Sequence, residues 1–406
     1  MSEHLDPAKH EWMRWPETRA VMAALKSGGG EARFVGGAVR NALLGEPVTD
    51  VDIATPLTPE EVTKRLEKAG LQAVPTGITH GTVTAVASGK PFEVTTLRRD
   101  VSTDGRRAVV AFTKDWAEDA GRRDFTMNAL YASPDGEVFD PTGGVTDLKA
   151  GRVRFVGDPA TRIREDYLRI LRLFRFHAWY GKGELDKAAL AAAVAEKSGL
   201  KQLSGERVQK ELRRLLAARD PVPTLRVMEK TGILSGILPW PLTLTRLVHL
   251  VAIDTVNKFS PDAILRLAAL MPGDANAARA LAERLKLSNA DRDRLIAATS
   301  DIKIGTAQRD AQALLYRLGA QQFKDLVFLR WAADEKTPAA QWRALIELAN
   351  TWRKPQFPLD GRDAMAAGVK EGPAVGKMLG ELEQWWIEND FEPDRAALLV
   401  RLKARA

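Results

Sequence analysis

"FVGGAVRNALLGEPVTDVDIAT", residues 34–55, places a glycine pair, an arginine and two aspartates in one short run. The apolar "RFV" reads as a strand, Gly36 and Gly37 as the turn after it, and a helix begins near Ala38. Glycines at a strand-to-helix turn allow close backbone approach, and the unpaired N–H groups of a helix start favour an anion. Arg40, in the first helical turn, adds a charge-assisted donor to the same phosphate. "TDVDIAT" then reads as a strand whose alternation puts Asp50 and Asp52 on one face, with Val51 and Ile53 on the other. Two such carboxylates repel unless a cation lies between them. Oxygen-only ligation favours Mg²⁺, a metal commonly shared with substrate phosphates. A glycine pair alone is an ordinary turn, and paired aspartates alone an ordinary solvated strand edge. Together they imply a place where a nucleoside triphosphate is held by its phosphates.

Working outward, a third carboxylate would complete such a site. Glu93, in the apparent strand "PFEVTTL", is the first candidate, and Asp124 in "GRRDFTMNALY" competes with it. In the latter segment Arg122 and Arg123 offer further phosphate donors, and Asp124 or Asn128 suits a ribose hydroxyl. Farther on, in "TRIREDYLRILRLFRF", Ile163, Tyr167, Ile170, Leu171 and Phe174 recur at helical spacing and form a buried stripe. From Arg152 to Phe176 there are seven arginines against three acidic residues, so this span is strongly basic.

Asp166 and Arg169, like Arg169 and Arg172, stand three apart and are neighbours on a helix surface. Cytosine and adenine each present an exocyclic amino donor beside a ring-nitrogen acceptor, which matches one carboxylate acceptor and one guanidinium donor. Guanine and uracil present the opposite order and leave buried polar groups unpaired, at roughly 1–3 kcal/mol per group. Side chains can therefore choose C and A over G and U. An intrahelical salt bridge is the plain alternative for the same residues.

The chain has 406 residues, 45% hydrophobic and 28% charged, which fits a multidomain globular protein and neither a disordered nor a fibrous one. Without cysteine there is no disulfide, thiol catalysis or cysteine-ligated zinc, and a cytoplasmic setting is expected. The start "MSEHLDPAKHEW" lacks the pattern of a signal peptide, and no segment has the length of a membrane span. The net charge of +7 is compatible with an anionic partner. To about Val156 the chain mixes strands and helices; from Thr161 onward strand signals vanish and apolar residues recur at helical spacing. The fold class is thus α+β, a mixed first domain followed by an all-helical remainder. Breaks are expected near Gly157–Pro159, Gly181–Gly183, Asp220–Pro223, Pro239–Pro241 and Pro355–Pro358.

The successive segments "GGAVRNALLG", "TDVDIAT", "TLRRDVSTDGR", "GRRDFTMNAL", "DPTGGVTDLKAGRVRFVGDP", "REDYLRILRLFRF" and "GERVQKELRRLL" resemble the motifs of class II CCA-adding tRNA nucleotidyltransferases, relatives of bacterial poly(A) polymerases. The resemblance runs from Arg33 to Leu216 and thins beyond, although "FPLDGRDAMAAGVKEGPAVGKML" keeps a tail-like pattern. It implies a polymerase-β-like nucleotidyltransferase head at 1–156, a neck with the nucleotide-selecting helix at 157–222, and a tRNA-binding body and tail at 223–406. It implies addition of C, C and A to the tRNA acceptor end from CTP and ATP, with release of pyrophosphate. On that basis Asp50 and Asp52 bind Mg²⁺, Gly37, Arg40 and Arg123 hold the triphosphate, and Asp166, Arg169, Arg172 and Arg175 form the selecting face. Asn41 departs from the family's usual aspartate after the motif arginine, and a carboxamide can still bridge there. "RRDVSTDGRR" resembles the loop used when the pocket changes from C to A, which favours all three additions. Among the five histidines there is no His-Asp doublet of the kind an appended phosphohydrolase would need. A poly(A) polymerase and a non-catalytic RNA-binding protein are the competing readings.

Overall fold

The β-branched runs of the first part pair into one sheet in the computed structural model, which describes residues 3–78, 81–104, 107–240, 243–305 and 307–405, by backbone alone at 100–104 and 107–110. The strands are β1 (Arg33–Val35), β2 (Asp52–Thr55), β3 (Gln72–Gly77), β4 (Thr82–Ala87), β5 (Lys90–Thr96), β6 (Arg98–Asp104), β7 (Arg107–Phe112), β8 (Tyr131–Ala132) and β9 (Val138–Phe139). Seven of them form a sheet in the order β3-β4-β5-β2-β1-β8-β9, while β6 and β7 pair as a separate hairpin. Only β2 and β5 run parallel; the other paired neighbours are antiparallel. In β4 the buried side chains are Val83, Ala85 and Ala87, the alternation expected of a strand with one face on the core. β3 carries Pro75, a residue confined to sheet edges, and it is an edge strand here.

Around the sheet lie α1 (Glu11–Arg14), α2 (Pro16–Lys26), α3 (Gly37–Leu44), α4 (Pro59–Lys68), α5 (Trp116–Gly121) and α6 (Gly144–Ala150). Local chemistry sets their starts: α4 opens with a Thr58–Glu61 capping box and Pro59 at its first position, and buries Val62 and Leu66. The helical continuation is α7 (Pro159–Glu165), α8 (Leu168–Tyr180), α9 (Lys187–Ala195), α10 (Gly205–Leu216) and α11 (Val222–Lys230). The single helix expected across 161–176 is broken. Asp166 adopts extended backbone (φ −159°, ψ 106°) and ends α7, and its carboxylate accepts from the Leu168 N–H at 3.1 Å as α8 begins. Ile163, Ile170, Leu171 and Phe174 are buried as expected, while Tyr167, between the helices, packs its ring against Gly199.

The chain forms two compact units, Met1–Pro241 and Leu242–Ala406. The division expected after 222 therefore falls inside the first unit, because α11 packs on α8. The second unit is wholly helical among its described residues. It contains a buried ion pair, Arg266 to Asp254 at 2.8 Å, and two apolar clusters, one built on Phe323 and Trp342 and one on Leu382 and Trp386. Trp352 and Trp385 pack on the latter cluster, so these tryptophans are core residues. The Gly-Pro turn expected in "KEGPAVGKML" is Gly372, at φ +114°, ahead of the helix Pro373–Glu388. No helix among the described residues is long and apolar enough to cross a membrane.

Register places the first site residues. Val35 pairs with Asp52, so the glycine turn after β1 lies beside the start of β2. Ile53 pairs with Val94, which sets Glu93 next to Asp52 on the other side. At the turn itself Gly36 has φ +68° and ψ −117°, and its N–H donates to the Leu130 carbonyl at 3.0 Å. A Cβ there would meet nothing closer than 3.7 Å, so the barrier to substitution is conformational rather than steric. We expect Gly36→Ala to lower stability by roughly 1–3 kcal/mol in denaturant unfolding; an unchanged midpoint would show that the turn relaxes freely.

Candidate active site

Asp52 is the first residue of β2, and Asp50 lies outside the strand in the exposed loop leading to it, with an Oδ2 that accepts from Thr49 Oγ1 at 3.0 Å. The two aspartates do not share one strand as expected, but they remain within electrostatic reach. Burial, then the charge of Glu93, and Asp50 after it raise the Asp52 carboxyl to about 6, against an opposing pull from Arg123. Among the described residues no group of three or more His, Cys, Asp or Glu side chains is placed to hold a metal ion. A pair of neighbouring carboxylates is enough for a hard divalent cation that completes its shell with water and substrate oxygens. A cation beside Asp52 would relieve that unfavourable charge.

Beside the carboxylates lies the turn into α3, where a phosphate was expected. Gly36 supplies no side-chain cap, so the first-turn amides of α3 remain available to an anion. Arg123 lies alongside, its Nη1 3.8 Å from where a Cβ of Gly36 would stand. Asp119, which sequence reasoning did not single out, fixes that guanidinium: Arg123 Nη2 donates to its Oδ2 at 3.0 Å, Arg122 Nε to its Oδ1 at 2.9 Å, and the Tyr131 hydroxyl to its Oδ2 at 2.6 Å. Arg123 Nε also donates to the Tyr131 oxygen at 3.1 Å. Burial alone would raise the Asp119 carboxyl, but the Arg123 and Arg122 charges and these hydrogen bonds outweigh it and hold it at about 2. The signal was present as acid-to-arginine spacings of three and four, here running from the end of α5 into the turn after it.

Arg40 departs from expectation. Its guanidinium is buried and donates to Asn128 Oδ1 at 2.6 Å, Asn41 Oδ1 at 2.9 Å and the Tyr180 hydroxyl at 2.9 Å, instead of presenting an open charge to a phosphate. A guanidinium removed from water takes whatever acceptors surround it. Asn41 in turn donates to the Pro47 carbonyl at 2.9 Å, so the carboxamide bridges the helix to the following loop. Asp124 and Asn128 are likewise engaged: Asn128 Nδ2 donates to Asp124 Oδ1 at 3.1 Å, and Arg172 Nε to Asp124 Oδ2 at 2.7 Å. Burial opposes the charge of Asp124, yet Arg172 and Asn128 hold its carboxyl at about 2. Asp124 is thus a partner of Arg172, remote in bonding from the Asp52 group, and a buried polar chain runs from Arg172 through Asp124 and Asn128 to Arg40 and Tyr180.

On the helical side, Arg175 donates to the buried Glu211 at 2.5 Å and its guanidinium lies over the Phe176 ring, 4.0 Å from the centroid. Asp166 and Arg169 flank the break between α7 and α8, but they do not bond each other through their side chains. Arg207 Nη2 donates to Asp166 Oδ2 at 2.7 Å, while Arg169 Nη1 pairs with Glu165 and the Arg162 carbonyl. The Asp166 carboxylate oxygens keep spare lone pairs, and the Nε and Nη2 protons of Arg169 have no protein acceptor among the described residues.

Comparison with known proteins follows the same division. Residues 32–154 match the family described as poly A polymerase head domain, 184–241 the probable RNA and SrmB-binding site of polymerase A, and 258–402 tRNA nucleotidyltransferase domain 2. The mitochondrial CCA tRNA nucleotidyltransferase 1 of Mus musculus is 34% identical over 391 residues, covering 92% of this chain and 86% of the relative. A CCA-adding enzyme of Limosilactobacillus fermentum is 32% identical over 396 residues, covering 94% of each. Among solved structures, the Bacillus stearothermophilus CCA-adding enzyme in complex with CTP superposes with a TM-score of 0.73 at 27% identity over 96% of each chain.

Proposed function

Since the chain belongs to the family of CCA-adding tRNA nucleotidyltransferases, we propose that it extends the 3′ end of tRNA with C, C and A from CTP and ATP, releasing pyrophosphate. The observation that carries this reading is the meeting, by strand register, of the Gly36 turn with Asp52 and Glu93, whose clustered charge calls for a cation beside an anion site. Asp50 and Asp52 hold Mg²⁺, and Glu93 adds to the negative field that retains it. When bound, the ion stabilises the developing charge on the attacking 3′-oxygen and on the departing pyrophosphate. The amides after Gly36 and Gly37 and the free nitrogen of Arg123 bind the triphosphate, with Asp119 and Tyr131 keeping Arg123 in place. Arg40, Asn128 and Asp124 position the base of α3 against α8. Similarity to bacterial CCA-adding enzymes supports a cytoplasmic location.

Base choice falls to the α7–α8 break. Asp166 accepts the exocyclic amino group of cytosine or adenine, and Arg169 donates to the neighbouring ring nitrogen, with Arg172 and Arg175 completing the basic side. Removing both groups with Asp166→Ala and Arg169→Ala relaxes the preference for CTP and ATP over GTP and UTP by about ten- to a hundred-fold, the equivalent of roughly 1–3 kcal/mol per mismatched group. Steady-state incorporation with each triphosphate measures it, and unaltered selectivity would remove these residues from the role.

Incubating purified protein with tRNA lacking its last three nucleotides, followed by a sequencing gel, tests the function. Three defined additions support it. A long A ladder gives a poly(A) polymerase instead, and no pyrophosphate release gives a non-catalytic RNA-binding protein.

A further inference from the structure

Among the described residues Trp179 stands apart from the other nine tryptophans: 49% of it is exposed, whereas those are buried or half-buried. It does not dangle. The indole N–H donates to the Arg214 carbonyl at 2.7 Å, which fixes the ring against the last turn of α10. On α8 it follows Arg172 and Arg175 by seven and four residues and so prolongs their stripe. Burial, and then the repulsion of the neighbouring Arg172 and Arg214 charges, depress Arg175 against the pull of Glu211, so Arg214 belongs to the same basic cluster. The acids of that cluster, Asp124 and Glu211, are buried in pairs with Arg172 and Arg175. The Arg214 side chain is exposed and has no ion partner among the described residues.

A rigid, half-exposed aromatic face beside a free guanidinium is the equipment of single-stranded RNA binding, in which a base stacks on the ring and the backbone meets the charge. We propose that Trp179 and Arg214 form a contact for the tRNA substrate, an unpaired base lying on the indole and an adjoining phosphate on Arg214. This rests on the proposed function and adds a primer-binding subsite to it. An acidic protein surface would satisfy the arginine but leaves the ring without a planar partner, which is why RNA is the occupant assigned.

The experiment compares the full-length protein with Trp179→Ala, Trp179→Phe and Arg214→Ala in steady-state CTP incorporation into tRNA lacking its 3′ end, alongside filter binding of the same tRNA. Trp179→Ala is expected to raise KM for tRNA about ten-fold or more while KM for CTP stays put. Trp179→Phe, which keeps a stacking face but lacks the N–H, restores most of the loss. Arg214→Ala reduces the dependence of log Kd on log salt by roughly one unit of slope. A wild-type KM and Kd for tRNA in Trp179→Ala overturns the proposal. A loss that Trp179→Phe does not recover, with a matching fall in melting temperature in both variants, overturns it in favour of a structural tryptophan. Should the wild type not extend tRNA at all, the functional reading fails, and filter binding still decides the Trp179 contact.

Discussion

Asp52→Asn is expected to abolish nucleotide incorporation, by about a thousand-fold or more, and to make the protein more stable at neutral pH. The loss follows from the proposed role of this carboxylate in holding the cation, whose charge stabilisation amounts to several kcal/mol of barrier. The gain follows from the sign of the Asp52 shift. Its carboxyl ordinarily ionises at 3.8 and in the fold at about 6, chiefly through burial and the charge of Glu93. Between those values the folded protein holds a proton that the unfolded chain has released. The ionised group therefore disfavours the fold, fully above about pH 6 and not at all below 3.8. A neutral Asn removes that cost. Thermal melts at pH 7.5 without Mg²⁺ should place the variant above the wild type, added Mg²⁺ should raise only the wild type, and Mg²⁺ affinity should fall by up to about ten-fold per pH unit below 6. Undiminished incorporation in Asp52→Asn would sink the metal assignment.

Asp119→Ala should lower the stability of the first unit by roughly 3–5 kcal/mol. Its carboxylate is 1% exposed and accepts from Arg122, Arg123 and Tyr131, so truncation leaves two guanidinium groups and a hydroxyl without their acceptor. The charge-conserving control is Asp119→Glu, and the pH dependence separates charge from packing. Because the folded pKa, about 2, lies below the ordinary 3.8, the stabilisation is complete above 3.8 and disappears as pH falls through 2. The gap between wild type and Asp119→Asn in urea unfolding should therefore be widest at pH 7 and should narrow by about 2 kcal/mol towards pH 2. Equal midpoints at pH 7 would mean that the arginines find other partners. Because the same carboxylate orients Arg123 beside Gly36, these variants should also bind triphosphate more weakly.

The class of fold was legible wherever local chemistry and final structure agree. Alternation in "TVTAVAS" and "FEVTTL", the glycines after "RFV" and the proline breaks all mark elements that exist. β3 was not legible, since Pro75 masks a strand that survives only because it is an edge. Nor was the break at Asp166, where a helical apolar period continues across a residue that caps instead of extending the helix. Within the site, residue types were readable and partnerships were not. Arg40 and Arg123 look alike in sequence, yet one is enclosed by Asn128, Asn41 and Tyr180 while the other has a nitrogen directed at the turn. Spacing along the chain reports neighbours three or four residues apart; Arg40 and Tyr180 are 140 apart, and only packing reveals that they meet.

The buried relay from Arg172 to Tyr180 has a mechanical consequence. It ties α3, which opens at the Gly36 turn, to α8, and each link is a polar contact that water cannot readily replace. The span between the two works like the set jaws of a calliper. On the proposed assignment of the α7–α8 break to base choice, a pyrimidine and a purine are gauged at one opening, with the difference in ring size taken up by side chains at the jaw tips and not by prying the frame apart.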